Sequence, residues 1–446
     1  MRVLMLGWEF PPHISGGLGT ACHGMTSSLV KKHVDVLFVL PNCPFNGKAD
    51  NGVTLQSASG LPISRVQYSL MQERGGELWR EHMRMYAVDA MLFPYDTPES
   101  YAERIRWASG HARDMRLDPH SQSLTYDLHG GYGPDLMAEV HRFARLTTAL
   151  ALRESFDVIH AHDWMTYPAG MLASALTGKP LVAHIHATEY DRSGENVNSI
   201  VAEIERAGLL RADRVIAVSH RTKNTVCQRY GVPADKVEVV HNAVSRHEAG
   251  RVYNVPERLR HEKRVLFLGR ITYQKGPEYF VEAARLVLEK MSDVRFFMAG
   301  SGDMLPRIIR RVSQLRLGSR FHFAGFLRGA DVDRMFALSN LYVMPSVSEP
   351  FGITPLEAML YDVPVLLSRQ SGVSEVLAHA LKADFWDTRD MADKICAVLR
   401  YPHLASTLVS NCHEEMKNIR WGNVAENLVA IYQSVCAAGG HSHASR

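Results

Sequence analysis

Glu349-Pro-Phe-Gly-Ile-Thr-Pro-Leu-Glu357 lies between an apolar, strand-like run (Leu341-Tyr-Val-Met-Pro-Ser346) and a helix-like one beginning Leu356-Glu-Ala-Met-Leu360. Two carboxylates therefore straddle a strand-to-helix turn. Gly352 lets the backbone come close to a ligand there, and Pro355 suits a first helical turn, where a missing N–H costs nothing. A helix starting here aims unpaired N–H groups and a partial positive charge at whatever precedes it, which favours phosphate. Acid, backbone donors and acid at this spacing suit a diphosphate flanked by hydroxyl-bearing groups, the chemistry of a nucleotide-sugar.

A comparable loop lies upstream. Strand-like Arg264-Val-Leu-Phe-Leu268 leads into Gly269-Arg-Ile-Thr-Tyr-Gln-Lys-Gly276, followed by a helix-like run from Pro277 to Lys290. This puts Arg270 and Lys275 at the carboxyl end of a strand, where ligands bind in open α/β sheets. Arg offers a fixed fork for phosphate oxygens and Lys a mobile point charge. Around both loops, strand-like and helix-like segments alternate, the pattern of parallel sheets covered by helices. Expected strands in the first half are Arg2–Leu6, Val34–Leu40, Val158–His160, Leu181–His186, Arg214–Val218 and Val237–Val240. In the second half they are Val265–Gly269, Val294–Gly300, Phe321–Ala324, Leu341–Met344 and Val363–Leu367.

A chain of 446 residues is too long for one ordinary core, so two domains are expected. The formal net charge of +3 gives no argument for nucleic acid or an anionic membrane as partner. Six cysteines show no CxxC pair or metal-ligand spacing and read as reduced, packed thiols of a cytoplasmic protein. The apolar start, Met1-Arg-Val-Leu-Met-Leu-Gly7, is too short for a signal peptide and reads as the first buried strand. No apolar run reaches the roughly 20 residues that span a bilayer.

The charged stretch Ser245 to Lys263 breaks the alternation and reads as the linker, with the boundary near Arg251. The expected organisation is a first domain over 1–250 and a second over 251–420, then a helix over 421–437 and a disordered tail over 438–446. From about 45 to 133 an insert interrupts the rhythm, rich in aromatics: Tyr68, Trp79, Tyr86, Phe93, Tyr95, Tyr101, Trp107 and Tyr126. They read either as the insert's own small core or as platforms that stack sugar rings.

Together with Gly16-Gly-Leu-Gly19, His160-Ala-His-Asp-Trp164, His184-Ile-His-Ala-Thr-Glu-Tyr-Asp191 and Val240-His-Asn242, the two loops resemble the retaining nucleotide-sugar glycosyltransferases of the GT-B fold. Within them the chain looks most like the branch of glycogen and starch synthases. The resemblance implies an α/β protein of two Rossmann-like parallel-sheet domains facing a central cleft. It also implies metal-independent, retaining transfer of a hexose, glucose first, from a UDP- or ADP-sugar to an α-glucan or other saccharide acceptor. Surface-polysaccharide, glycolipid or sugar-phosphate synthesis is the alternative within the class, and an inactive nucleotide-sugar-binding protein the alternative outside it.

By the same resemblance, Glu357 holds the ribose and Glu349 touches the hexose and its anomeric carbon. Arg270, Lys275, Gly17 and the turn Phe351-Gly352-Ile353-Thr354 receive the diphosphate, and Asn242 and either His186 or His162 reach the sugar. One departure stands out: synthases of the plant and bacterial type carry histidine directly after the Asp-Trp pair, where this chain has Met165. His160 and His184 read as packing residues, Asp331-Val-Asp333 as a helix start whose first Asp caps it, and no metal or other cofactor is expected.

Overall fold

The computed structural model describes residues 1–11, 16–43, 45–74, 115–118, 123–133, 135–245 and 262–442. Short runs of β-branched and large apolar residues form its strands, and most are buried on both faces, as parallel strands under helices must be. Val3, Leu4, Met5 and Leu6 are each 0% exposed.

The first lobe carries β1 (Arg2–Leu6), β2 (Asp35–Leu40), β3 (Gly47–Lys48), β4 (Thr54–Ser57), β7 (Val158–His162), β8 (Leu181–Ile185), β9 (Arg214–Ala217) and β10 (Val237–Val239), while β5 (Met115–Asp118) and β6 (Ser123–Tyr126) form a separate hairpin pair. Its sheet runs β10-β9-β8-β7-β1-β2-β4-β3. Every pairing is parallel except β3 with β4. The second lobe carries β11 (Lys263–Leu268), β12 (Val294–Ala299), β13 (Phe321–Gly325), β14 (Leu341–Met344), β15 (Val365–Ser368) and β16 (Leu381–Ala383), all parallel, in the order β13-β12-β11-β14-β15-β16. In both lobes the order reverses beside the first strand, so the loops leaving β1 and β11 open at the switch points where such sheets bind ligands.

Three details depart from the sequence reading. The start of the expected insert is not inserted at all, because β4 pairs with β2 and widens the main sheet. Of its aromatics, Tyr126 is buried in the first-lobe core and Tyr68 packs against that core; Trp79, Tyr86, Phe93, Tyr95, Tyr101 and Trp107 lie outside the described residues, as does the boundary at Arg251. The last helix is longer than expected and runs from Trp421 to Ser442, into the stretch read as a disordered tail.

That last helix lies on the first lobe. Trp421, Val424, Ala425, Leu428 and Tyr432 join Val3, Met5, Met25 and Leu29 in one buried cluster. Gly24 makes the contact possible, since a Cβ there would lie 2.3 Å from the Trp421 indole. Further links join the lobes at the cleft. The Glu375 carboxylate accepts from the backbone N–H groups of His220 and Arg221 and meets the His241 ring at 2.9 Å. Ser348 Oγ donates to Asp191 Oδ1 at 2.6 Å.

Candidate functional site

The loop after β11 is shaped by one residue. Gly276 has φ +64°, and a Cβ there would lie 2.2 Å from the carbonyl oxygen of Pro345, so only glycine lets this loop pack against the end of β14. Gln274, buried at the loop's centre, accepts from Val347 N through its backbone carbonyl at 2.9 Å and from Arg270 through its side chain at 3.1 Å. The two sequence-distant loops thereby become one surface, with Arg270 exposed and Lys275 half-buried.

Lys275 and Glu349 meet on that surface. Lys275 Nζ donates to Glu349 Oε2 at 2.6 Å, and Ser346 Oγ donates to the same oxygen at 3.2 Å. Glu349 is only 6% exposed. A carboxylate this enclosed depends on such partners, and removing the lysine would leave it nearly buried without its ion pair. The Gly352 turn holds the pair in place: φ is +96°, and a Cβ would press on Met344 Sδ and Glu349 Cγ, each at 3.1 Å. Beyond it runs the short helix Thr354–Met359, with Pro355 in its first turn as the sequence indicates. Glu357 is part-exposed in that helix; desolvation, then the nearby Asp333 charge, push its carboxyl up to about 7.

Phe351 in the turn and Asp331 upstream of it each play a different part from the one expected. Phe351 is 2% exposed in the second-lobe core, and its carbonyl accepts from Val373 N at 2.7 Å, so its side chain is a packing residue rather than a nucleotide contact. Asp331 does not cap its helix: Gly329 is the N-cap, with φ +49°, and Asp331 and Asp333 sit inside the first turn, favoured there by the helix dipole.

Across the cleft, the glycine loop Gly16–Gly19 opens the helix Gly17–Lys31, with Gly17 exposed. Its N-terminus is already occupied. Glu9 Oε2 accepts from Gly16 N at 3.2 Å and Gly19 N at 3.3 Å, and Glu9 Oε1 accepts from the Tyr132 hydroxyl. A carboxylate stands where the sequence reading puts phosphate. Sequence reasoning missed this role of Glu9; the signal was an acid within the apolar run Leu6-Gly-Trp-Glu-Phe10, seven residues before Gly16.

The two histidine pairs meet on neighbouring strands. β7 continues to His162, two residues past its expected end, and His162 registers with His184 on β8. His160, His162 and His184 are each 0% exposed, and His162 stacks on Phe38. His162 is therefore sealed inside the lobe and cannot touch a sugar. His186, just past the end of β8, is part-exposed and its ring meets His162 Nδ1 at 3.0 Å. Its backbone N–H donates to Asp163 Oδ1 at 2.6 Å. Asp163 adopts φ +58°, and desolvation raises its carboxyl to about 6 against the opposing backbone bond from His186. Asn242 is buried just beyond β10.

Residues 254–414 match the family described as Glycosyl transferases group 1, and residues 112–248 match Glycosyltransferase Family 4. An uncharacterized glycosyltransferase of Methanocaldococcus jannaschii is 28% identical over 452 residues, covering 97% of this chain and 98% of that protein. The alpha-maltose-1-phosphate synthase of Mycolicibacterium smegmatis is 30% identical over 319 residues, 64% of this chain and 80% of the relative. Among solved structures, sucrose-phosphate synthase from Thermosynechococcus elongatus superposes with a TM-score of 0.68 at 18% identity, over 98% of this chain and 99% of the other.

Proposed function

The chain belongs to the group 1 glycosyltransferases, with their two-lobed GT-B fold, and from that premise we propose that it transfers glucose from a nucleoside-diphosphate sugar to an acceptor hydroxyl with retention at the anomeric carbon. The observation that carries this reading is the Lys275–Glu349 pair at 2.6 Å, set between two strand ends beside exposed Arg270. In the free protein Lys275 neutralises Glu349. When a donor enters, Lys275 and Arg270 turn to the diphosphate, and Glu349 is left facing the sugar.

The barrier is charge separation. As the bond from the anomeric carbon to the diphosphate oxygen breaks, its electron pair leaves with the diphosphate, whose growing negative charge meets Lys275 and Arg270. Positive charge develops on the sugar ring and meets Glu349. The acceptor hydroxyl attacks from the face the diphosphate leaves, and its proton passes to a departing phosphate oxygen, which preserves the configuration without a covalent enzyme intermediate. Two fixed cations supply the charge that a bridging divalent ion supplies elsewhere, so the reaction proceeds without added metal. Glu357 accepts from the ribose hydroxyls, and His186 and Asn242 line the sugar's other side.

For the acceptor we propose a maltooligosaccharide, elongated through α-1,4 linkages, on the motif resemblance to glycogen and starch synthases. A second reading, a sugar phosphate as acceptor, is supported by the 30% identity to an enzyme named for making maltose-1-phosphate. Incubation with UDP-, ADP- and GDP-glucose and separate panels of maltooligosaccharides and hexose phosphates tests both. Labelled glucose in a longer α-glucan supports the first, and label in a disaccharide phosphate alone replaces it with the second. Turnover with neither overturns both and leaves only the family.

A further inference from the structure

The histidines of β7 and β8, His160, His162 and His184, form a buried cluster in the first lobe that the transfer reaction does not need, with His186 at its edge. His160 and His162 stack with ring centroids 4.3 Å apart, His184 and His186 at 4.2 Å, and the pairs face each other across the parallel strands. His160 Nδ1 meets the Tyr432 hydroxyl at 2.6 Å and its Nε2 meets His184 Nδ1 at 3.2 Å. His162 Nδ1 meets His186. Both chains of bonds then stop, because His162 Nε2 and His184 Nε2 are buried with no hydrogen-bond partner among the described residues.

Two orphaned ring nitrogens in one sealed cluster call for a reason. A nitrogen from each of His160, His162 and His184 lies within 4.8 Å of the other two. Around a zinc ion, with Zn–N distances of about 2.0–2.1 Å, tetrahedral ligands stand roughly 3.4 Å apart, so a closure of the rings by about 1 Å suffices.

We propose that His160, His162 and His184 bind one zinc ion, or another borderline divalent ion of the first transition row, as a structural site. His162 and His184 ligate through their unpartnered Nε2 atoms. His160 ligates through the Nε2 that now faces His184, while its Nδ1 stays on Tyr432, the hydrogen-bonded outer partner that orients a ligating histidine. Tyr432 belongs to the helix that crosses from the second lobe. The ion therefore ties two central strands of the first lobe to that crossing helix. It stands apart from Lys275 and Arg270, which receive the diphosphate on the other lobe.

The full-length protein, stripped with chelator under mild denaturation and refolded, is loaded with excess zinc, desalted, and analysed for metal. One zinc per chain is expected, together with a raised melting temperature and, after cobalt loading, the visible absorption of an imidazole-bound ion. His160→Gln and His184→Gln should each abolish both, while the double variant His441→Gln/His443→Gln should leave both intact. X-ray absorption on the zinc-loaded wild type makes the outcome independent of whether the variants fold, and three imidazoles around the ion are expected. Less than about a tenth of an ion per chain overturns the proposal. So does stoichiometric zinc with a shell of fewer than three imidazoles, or zinc that folded His160→Gln and His184→Gln retain.

Discussion

The two lobes present the same device at the same place, a glycine loop leaving the first strand of a parallel sheet at its switch point, and they use it in opposite ways. In the second lobe Gly276 folds the loop back on Pro345, so that Arg270 and Lys275 project cations from it. In the first lobe Glu9 bonds the amides of Gly16 and Gly19, and the helix N-terminus faces a carboxylate of its own chain. A helix end can neutralise one negative group well. With Glu9 there, the first-lobe loop is better suited to hydroxyl groups, which fits the proposal that the second lobe receives the diphosphate. The lesson is that a glycine pattern fixes a backbone shape, while the charge that fills it comes from elsewhere in the sequence.

The largest effect should come from the cations. Lys275→Ala or Arg270→Ala should each reduce turnover by about 10²–10³, the scale of losing one preorganised donor to a transition-state anion. Glu9→Gln should cost only a few-fold, since it keeps the shape of the side chain and removes the charge. The initial rate with saturating donor is the measurement. Equal losses in the two lobes would erase the distinction drawn between them. Lys275→Ala should also destabilise the fold, because Glu349 would be left nearly buried without its ion-pair partner.

Next in size is the backbone itself. Gly276→Ala forces a side chain into a left-handed conformation and against the Pro345 carbonyl oxygen. Strain of this kind costs about 1–3 kcal/mol, to be read from chemical denaturation. A variant as stable as wild type would show that the loop has another accessible shape and that its cations are not rigidly aimed.

A smaller, pH-dependent effect separates Glu357 from Glu349. With its carboxyl raised from 4.5 to about 7 by desolvation and by Asp333, Glu357 is largely protonated in mildly acidic solution. In the proposed role the ionised form offers both oxygens as acceptors to the ribose hydroxyls, whereas protonation turns one of them into a donor. Donor affinity should therefore weaken several-fold as pH falls from about 8 to about 6, and the dependence should vanish in Glu357→Gln. Titration calorimetry with an intact nucleotide-sugar is the clean assay, since its diphosphate has no free terminal phosphate to titrate. Stability should move the other way. Between 4.5 and about 7 the folded chain holds a proton that the unfolded chain has lost, so this group's contribution falls as pH rises through that window.

Much of this site could be read from the chain. Leu341–Met344 is a strand as expected, Pro355 lies in the first helical turn, and Arg270, Lys275 and Glu349 share one surface. Those features are local: an apolar run, a glycine and a turn fix them within a few residues. What stayed hidden depends on depth and on distant partners. Alternation places His160 and His162 on one face of a strand, but only the continuation of β7 by two residues buries His162 and leaves His186 at the edge. Glu9 gained its role from Tyr132, 123 residues away. Thr54–Ser57 is short and half-polar, so its sequence reads as part of an insert, and only its pairing with β2 makes it a strand.

The smallest expected effect bears most directly on the contrast between the loops. Gly17 is exposed, its φ lies outside the left-handed range, and among the described residues a Cβ built on it meets nothing within 4 Å. Gly17→Ala should therefore change stability by no more than about 0.5 kcal/mol, as for surface positions free of special geometry. This makes it a probe of ligand approach alone. If the diphosphate is held only by the second lobe, donor affinity in Gly17→Ala should stay within about twofold of wild type, and any loss should appear with the acceptor. A drop of tenfold or more in donor affinity, with stability unchanged, would mean that the phosphate does come against Gly17 despite the Glu9 carboxylate, and the two loops would then clamp one ligand from both sides.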